Sequence, residues 1–329
     1  MQFRTPLPAL SPHFCITHGD PTLWVGSCFT EHIGGRMAAL KFPTRINPQG
    51  ILFQPEAIAR CLKRLATPEA LFAEADFFEW QGLWRNWELH SRLAHPRLDE
   101  AVRRANEAYR DAASFLLRAN TLALTLGTAW VYCLRDSGLS VANNHKAPPD
   151  RFERRRLDPS QIVDALGPVV RMLQDQRPGL RVILSVSPVK HLREGLRDNL
   201  LSKSSLLLAC ETLCRQLPDA VYFPAYEILT EELRDYRFFS ADMAHPSEQA
   251  VEYIWQFFRS AFFDEKTESL AQRIERLRVA VAHRPHHPES AAFHDFLQKT
   301  AHELAALEAE RPEWDWSEER ALMSGGREA

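Results

Sequence analysis

The chain predicts an α/β fold in which a parallel sheet is covered by helices on both faces. Short apolar runs alternate with helix-length amphipathic stretches, the pattern of strands joined by crossover helices. Several runs stop at a turn-forming residue: Gly26, Gly127, Pro188 and Pro224. The bulk composition is that of an ordinary globular protein, with 45% apolar and 25% charged residues in 329. That length suits one large domain, or one domain carrying an insertion or tail.

The elements follow in order. Residues 1–22 form a Pro-rich lead-in. The first strand covers 23–27, and Glu31 to Leu40 is a helix with Ile33, Met37 and Leu40 on one face and Thr30 as its cap. Residues 41–54 read as a loop because Pro43, Pro48 and Gly50 interrupt them, and Pro55 opens a helix over 55–65. Between 66 and 98 the aromatics Phe72, Phe77, Phe78, Trp80, Trp84 and Trp87 crowd together, the mark of an irregular insertion held by a hydrophobic plug. Helices are expected over 103–119, 159–176, 199–215, 226–233 and 247–262, and strands over 121–126, 130–134, 181–186 and 220–223. Residues 139–158 read as a polar loop, and Leu200, Leu207 and Leu208 recur along the 199–215 helix. From Asp264 the chain is rich in Glu, Arg, Ala and Leu, so a helical extension over 263–329 follows a main domain at 1–262.

Charge and composition exclude several functions. Forty Lys and Arg against 43 Asp and Glu leave a net charge of −3, which gives no electrostatic case for nucleic acid or an anionic membrane. The Arg154-Arg155-Arg156 run reads as a solvated face. No apolar run approaches the ~20 residues of a membrane helix, and the N-terminus lacks a basic segment followed by a clean apolar one. A cytoplasmic location is therefore expected, with the six scattered cysteines reduced. Cys210 and Cys214 lie one helical turn apart and read as core. His283, His286 and His287 sit in a Pro-rich connector, so neither a metal nor another cofactor is expected.

In open α/β sheets, ligands bind beyond the carboxyl ends of the strands. Gly26-Ser27-Cys28, Gly127-Thr128, Ser187-Pro188 and Pro224-Ala225 should therefore converge on one rim. A thiol or hydroxyl at the first strand-to-helix turn is exposed by the turn, and the first helical amides favour its anion. Cys28 and Ser27 both occupy that turn. Far downstream, Asp242-Met243-Ala244-His245 supplies a carboxylate three residues before an imidazole. Asp242 can then fix the His245 tautomer and stabilise the imidazolium, completing a nucleophile–His–Asp relay. Lys190 and His191, just past a strand end, are candidates to line the same cleft.

Gly26-Ser27-Cys28-Phe29-Thr30 resembles the signature of the GSCFA-domain proteins, with Thr30 in place of the final Ala. The resemblance continues through Asn47-Pro48-Gln49-Gly50, the stretch from Trp87 to His90, Leu126 to Tyr132, Asn144-His145-Lys146, Ser185 to Val189, Asp235 to Phe238 and Asp242 to Ser247, over roughly residues 2–255. That family is similar to a branch of the SGNH (GDSL-like) hydrolases. The resemblance implies a three-layer α/β/α, flavodoxin-like fold and esterase, lipase or carbohydrate-deacetylase chemistry. Matching Gly26 to the Gly of the superfamily's Gly-Asp-Ser places Cys28 on the nucleophile and Ser27 on the Asp; a register one residue earlier would make Ser27 the nucleophile. The Asp-x-x-His block falls on Asp242 and His245. By the same resemblance Gly50 is the oxyanion-hole glycine, and Gly127-Thr128-Ala129-Trp130 falls on the block whose Asn would complete the hole. Ala129 lacks that donor, and Asn144 or His145 from the next loop are the expected substitutes. Lys146 and His90 are further candidates for contact with substrate.

The expected activity is hydrolysis of an acyl ester, O-acetyl included, on a carbohydrate or other small polar molecule. The alternatives are transfer of the acyl group through the same relay, or a non-catalytic ligand-binding protein with a degenerate oxyanion hole. The expected partner is the small-molecule substrate alone, with neither nucleic acid nor membrane.

Overall fold

A computed structural model describes residues 4–67, 69 and 71–325. Its contacts divide the chain into two units: residues up to Ala38 with Phe42–Phe262, and Ala39–Lys41 with the chain from Phe263 onward.

In the first unit the opening apolar run is β1 (Thr22–Gly26), followed directly by α1 (Cys28–Ala39), β2 (Thr44–Ile46) and α2 (Pro55–Ala66). A hairpin, β3 (Phe78–Trp80) and β4 (Leu83–Arg85), precedes α3 (Leu98–Leu116) and β5 (Thr121–Leu126). Next come β6 (Trp130–Leu134), β7 (Ser140–Val141), β8 (Phe152–Arg156), α4 (Pro159–Gln176), β9 (Arg181–Val186), α5 (Leu196–Gln216) and β10 (Ala220–Phe223). A short helix, α6 (Ala225–Glu227), runs into a π-helical turn at Ile228–Leu233, and α7 (Glu248–Phe262) closes the unit.

Among the described residues the central sheet is parallel, in the order β10-β9-β5-β1-β2. Alternation along the strands builds a core on each face. Leu23, Val25, Leu122, Leu124, Leu126, Val182, Leu184 and Val186 pack in one cluster with α2, α3, α4 and α5. On the opposite face Trp24 meets Phe258 of α7 at 5.7 Å between ring centroids, and Phe223 meets the same ring at 5.2 Å. Gly34 of α1 lies directly against Trp24 and Ile46. The result is the three-layer α/β/α architecture anticipated above. Each fully buried Leu or Val in these layers contributes roughly 1.5–3 kcal/mol.

The 41–54 segment is not wholly a loop: Thr44–Ile46 pairs with β1 as an edge strand. Three residues between prolines are too few to show a period. The 139–158 segment also contains strands. β7 and β8 flank β6 in a separate antiparallel sheet, so β6 does not join the central one. β8 reads as polar because its middle residues are exposed. Its Arg154 guanidinium lies over the Trp130 and Tyr132 rings at 5.5 and 5.4 Å, which keeps the basic run on the strand surface. The leucine recurrence on α5 also misleads. Leu200 and Leu208 are 56% and 60% exposed, while Ser202, Lys203, Leu206, Ala209, Cys210 and Leu213 face inward.

The aromatic insertion is a plug. Phe78 stacks on Trp87 at 3.9 Å, and Trp80 and Trp87 pack against Leu134, Val141, Ala147 and Phe152. The six cysteines are free, and Cys210 is fully buried.

The second unit contains α8 (Glu265–Ala282), α9 (Ala291–Glu310) and α10 (Ser317–Gly325). Its buried Glu319 carboxylate is paired with Lys41 at 2.8 Å and Arg278 at 3.0 Å. His283, His286 and His287 are exposed. Among the described residues no helix is long and apolar enough to cross a membrane, and no cluster of three His, Cys, Asp or Glu side chains has metal-ligand geometry.

Candidate active site

The turn between β1 and α1 is built on Gly26. Its N–H donates to Asn47 Oδ1 at 2.9 Å, and a Cβ there would lie 2.4 Å from the Thr125 carbonyl oxygen, so only glycine lets β1 run this close to β5. Ser27 is 2% exposed, and its hydroxyl is occupied as a cap: Oγ accepts from the Phe29 amide at 3.3 Å, and its carbonyl accepts from Thr30 at 2.9 Å. Cys28 opens α1 and is half-buried. Burial pushes its thiol up, while the amides of Phe29 and Cys28 and the nearby Lys203 ammonium act in the opposite direction.

Asp242 and His245 form a pair on the loop before α7. Asp242 Oδ2 lies 2.5 Å from His245 Nδ1, and Oδ1 accepts the amides of Ala244 and His245, each at 2.9 Å. The His245 and Ala244 amides and the imidazole together hold the Asp242 carboxyl down to about 2. With Nδ1 donating to the carboxylate, Nε2 carries the lone pair. Met243, at φ 58°, turns the loop tightly enough for this closure. The loop is tied to the end of β9: Lys190 N–H donates to the Ala244 carbonyl at 3.0 Å, and Lys190 Nζ sits 3.5 Å from the Phe239 ring centroid.

The other expected residues are distributed unevenly. The Gly50 amide donates to Asn47 O at 2.8 Å and the Gly127 amide to Phe53 O at 2.7 Å, so both amides are engaged within the fold. His90 packs against Gly50 and accepts from the Arg92 amide. His145 is buried, with Nδ1 3.1 Å from Ser91 Oγ and Nε2 2.8 Å from Asn86 O. Both ring nitrogens have partners, and burial holds the ring down to about 4, so it braces the aromatic plug as a neutral imidazole. Asn144 accepts from the Lys146 amide and lines a cleft; Lys146 is exposed.

That cleft, about 390 Å³, combines Phe53, Trp130 and Tyr132 with Asn143, Asn144, Lys190, His191, Arg193 and Glu194. His191 connects it to the rim. Its Nε2 lies 3.2 Å from where a Gly127 Cβ would stand, and burial holds its ring down to about 3.

Sequence reasoning missed three residues of α5 that reach this rim. Asn199 Oδ1 accepts the His191 amide at 2.8 Å, and Ser202 Oγ accepts the Ala129 amide at 2.8 Å. Lys203 Nζ donates to Gly127 O at 2.6 Å and Ser187 O at 2.7 Å. The usable signal was three polar residues at i, i+3 and i+4, which share one face of the helix.

Electrostatic neighbours join the two halves of the site. Cys28 and Lys203 act on each other, Lys203 and His245 both act on His191, and His245 also acts on His32. Among the described residues no hydrogen bond joins Cys28 Sγ to the His245 ring.

Fold and site define an α/β/α protein with a helix-N-terminal thiol and an Asp–His pair on its strand-end side. The GSCFA family model matches residues 21–258, and the model for the C-terminal domain of GSCFA domain proteins matches residues 274–324. The chain belongs to the GSCFA family. None of the curated proteins compared with it matches. Among solved structures it is similar to a carbohydrate esterase family 3 protein from Talaromyces cellulolyticus, at 10% identity and a TM-score of 0.35, over 78% of this chain and 99% of that one. A likeness at that level carries no argument about activity.

Proposed function

We propose that the protein is an SGNH-type acyl esterase that cleaves a small polar or carbohydrate ester, with Cys28 as nucleophile, His245 as base and Asp242 as its orienting carboxylate. The observation that carries this reading is the Asp242–His245 contact of 2.5 Å, which leaves Nε2 as the proton acceptor on a loop anchored to the end of β9. Ser27 is a poorer nucleophile, since its hydroxyl is buried and caps α1.

In this mechanism His245 Nε2 takes the Cys28 proton and the sulfur attacks the ester carbonyl carbon. The tetrahedral oxyanion forms beside the Cys28 amide. Collapse breaks the C–O bond, and the imidazolium gives its proton to the leaving alkoxide. Water, deprotonated by His245, then attacks the thioester, releasing the acid and restoring the thiol. The thiol and imidazole must close to hydrogen-bond range, a contact that often tightens only with substrate bound. The mixed aromatic and polar cleft suits a sugar or similar polyol, whose ring stacks while its hydroxyls find hydrogen bonds.

Turnover of p-nitrophenyl acetate tests the assignment. Cys28→Ala should lower kcat by at least about 10³-fold, while Ser27→Ala keeps most of the activity with reduced stability. An active C28A protein, or an S27A protein that folds but is inactive, refutes the assignment.

A further inference from the structure

Lys203 is fully buried, an unusual place for an ammonium. Its ammonium donates to neutral carbonyls, Gly127 O at 2.6 Å and Ser187 O at 2.7 Å. Those carbonyls lie one residue past the ends of β5 and β9, and the Tyr226 ring lies 5.7 Å from Nζ. Among the described residues, the ionisable group that favours the ammonium is Cys28, and no carboxylate does. A buried cation without an anionic partner is strongly unfavourable. The register brings the two together. Gly26 pairs with Thr125, so Cys28 and Gly127 each lie two residues beyond neighbouring positions on adjacent strands.

We infer that Lys203 is the buried counter-charge of Cys28: a positioning residue whose ammonium, fixed between the Gly127 and Ser187 carbonyls, offsets the penalty that burial places on the thiolate. This inference rests on Cys28 being the reactive group of the proposed site. Among the groups around the pair, Glu31 on α1 opposes the thiolate, while His191 faces Lys203 and His245 faces His191. Burial holds the Lys203 ammonium down to about 7 even with Cys28 acting in the opposite direction, and burial likewise pushes the Cys28 thiol up while Lys203 opposes it, so the two ionisations support each other. The charge also serves the reaction. When the thiolate attacks, its negative charge moves to the ester oxygen close by, and a fixed cation compensates it in both places without rearranging.

A role limited to stapling β5 to β9 would leave the thiol's ionisation unchanged. The test is therefore the pH dependence of Cys28 alkylation by iodoacetamide in the full-length protein, resolved from the other cysteines by peptide mass mapping. Lys203→Met, checked for folding by circular dichroism, should raise the alkylation midpoint by about one pH unit and slow labelling at neutral pH roughly tenfold. A folded K203M protein with the wild-type midpoint overturns the inference. If K203M does not fold, the reciprocal measurement decides: the Lys203 titration followed by ¹³Cε-lysine NMR. In Cys28→Ser its midpoint should fall by at least about half a pH unit, because linkage is mutual; equal midpoints in C28S and wild type overturn the inference. Neither readout uses an ester. Shifted midpoints in a protein without esterase activity would remove the hydrolase proposal alone, and equal midpoints in an active enzyme would remove the role of Lys203 alone.

Discussion

At the residue scale, burial separates the two histidines that bear on the site reading. His245 is half-exposed and paired with a carboxylate, whereas His145 is buried with both nitrogens bonded to uncharged groups. The consequence for His145 is a pH dependence of stability. Its folded value of about 4 lies below the ordinary imidazole value of 6.5, so between those values the unfolded chain binds more protons. Its contribution to stability is therefore complete above pH 6.5 and is lost as pH falls toward 4, with a slope of up to about 1.4 kcal/mol per pH unit. Urea midpoints across this range should show a shallower decline for His145→Gln than for wild type. Parallel curves would mean that His145 does not titrate as its surroundings dictate. Residue type and spacing made Cys28, Asp242 and His245 legible as candidates, and the structure shows the Asp242–His245 contact. Type and spacing could not reveal that the Asn144-His145 turn points its imidazole into the aromatic plug, because that depends on Ser91 and Asn86, more than fifty positions away.

At the scale of elements, strands buried on both faces were the easiest to read. β5 and β9 emerge with the bounds that their apolar-rich runs suggest. β2, β7 and β8 were obscured because they are short, or because exposed arginines dominate their composition. α5 shows the opposite error: its leucines drew attention to the outer face, while Asn199, Ser202 and Lys203 held the rim from the inner one. The Asn47–Gly50 turn supports the same rim and is tightly constrained. Gly50 has φ +89°, and a Cβ there would lie 2.1 Å from His90 Cβ. Gly50→Ala should destabilise the protein by on the order of 3 kcal/mol, combining left-handed strain with overpacking. Chemical denaturation at constant m-value would measure it, and a loss below about 0.5 kcal/mol would contradict the packing described.

At the scale of the whole molecule, the parallel sheet positions the proposed site. Cys28 and His245 come from segments far apart in sequence, and the β10-β9-β5-β1-β2 order sets β5 between β1, which leads into Cys28, and β9, past whose end the His245 loop is anchored. Loop Asp242–His245 reaches that edge through Lys190, and α5 reaches it through Lys203. The alternation of strands and helices disclosed a parallel sheet covered on both sides, and with it a rim at the strand ends, but not the strand order. The oxyanion geometry was not disclosed, because which amides remain free depends on turns such as Asn47–Gly50 that bond internally. The central claim is that the thiol at the mouth of β1 becomes acylated. Rapid acid quench of the full-length enzyme during p-nitrophenyl acetate turnover, followed by peptide mass mapping, tests it most directly. An acetyl thioester on Cys28 that forms during wild-type turnover and is lost in His245→Ala, where no base activates the thiol, is the predicted result; acetyl on Ser27, or turnover that continues when Cys28 is alkylated or replaced by alanine, would contradict it.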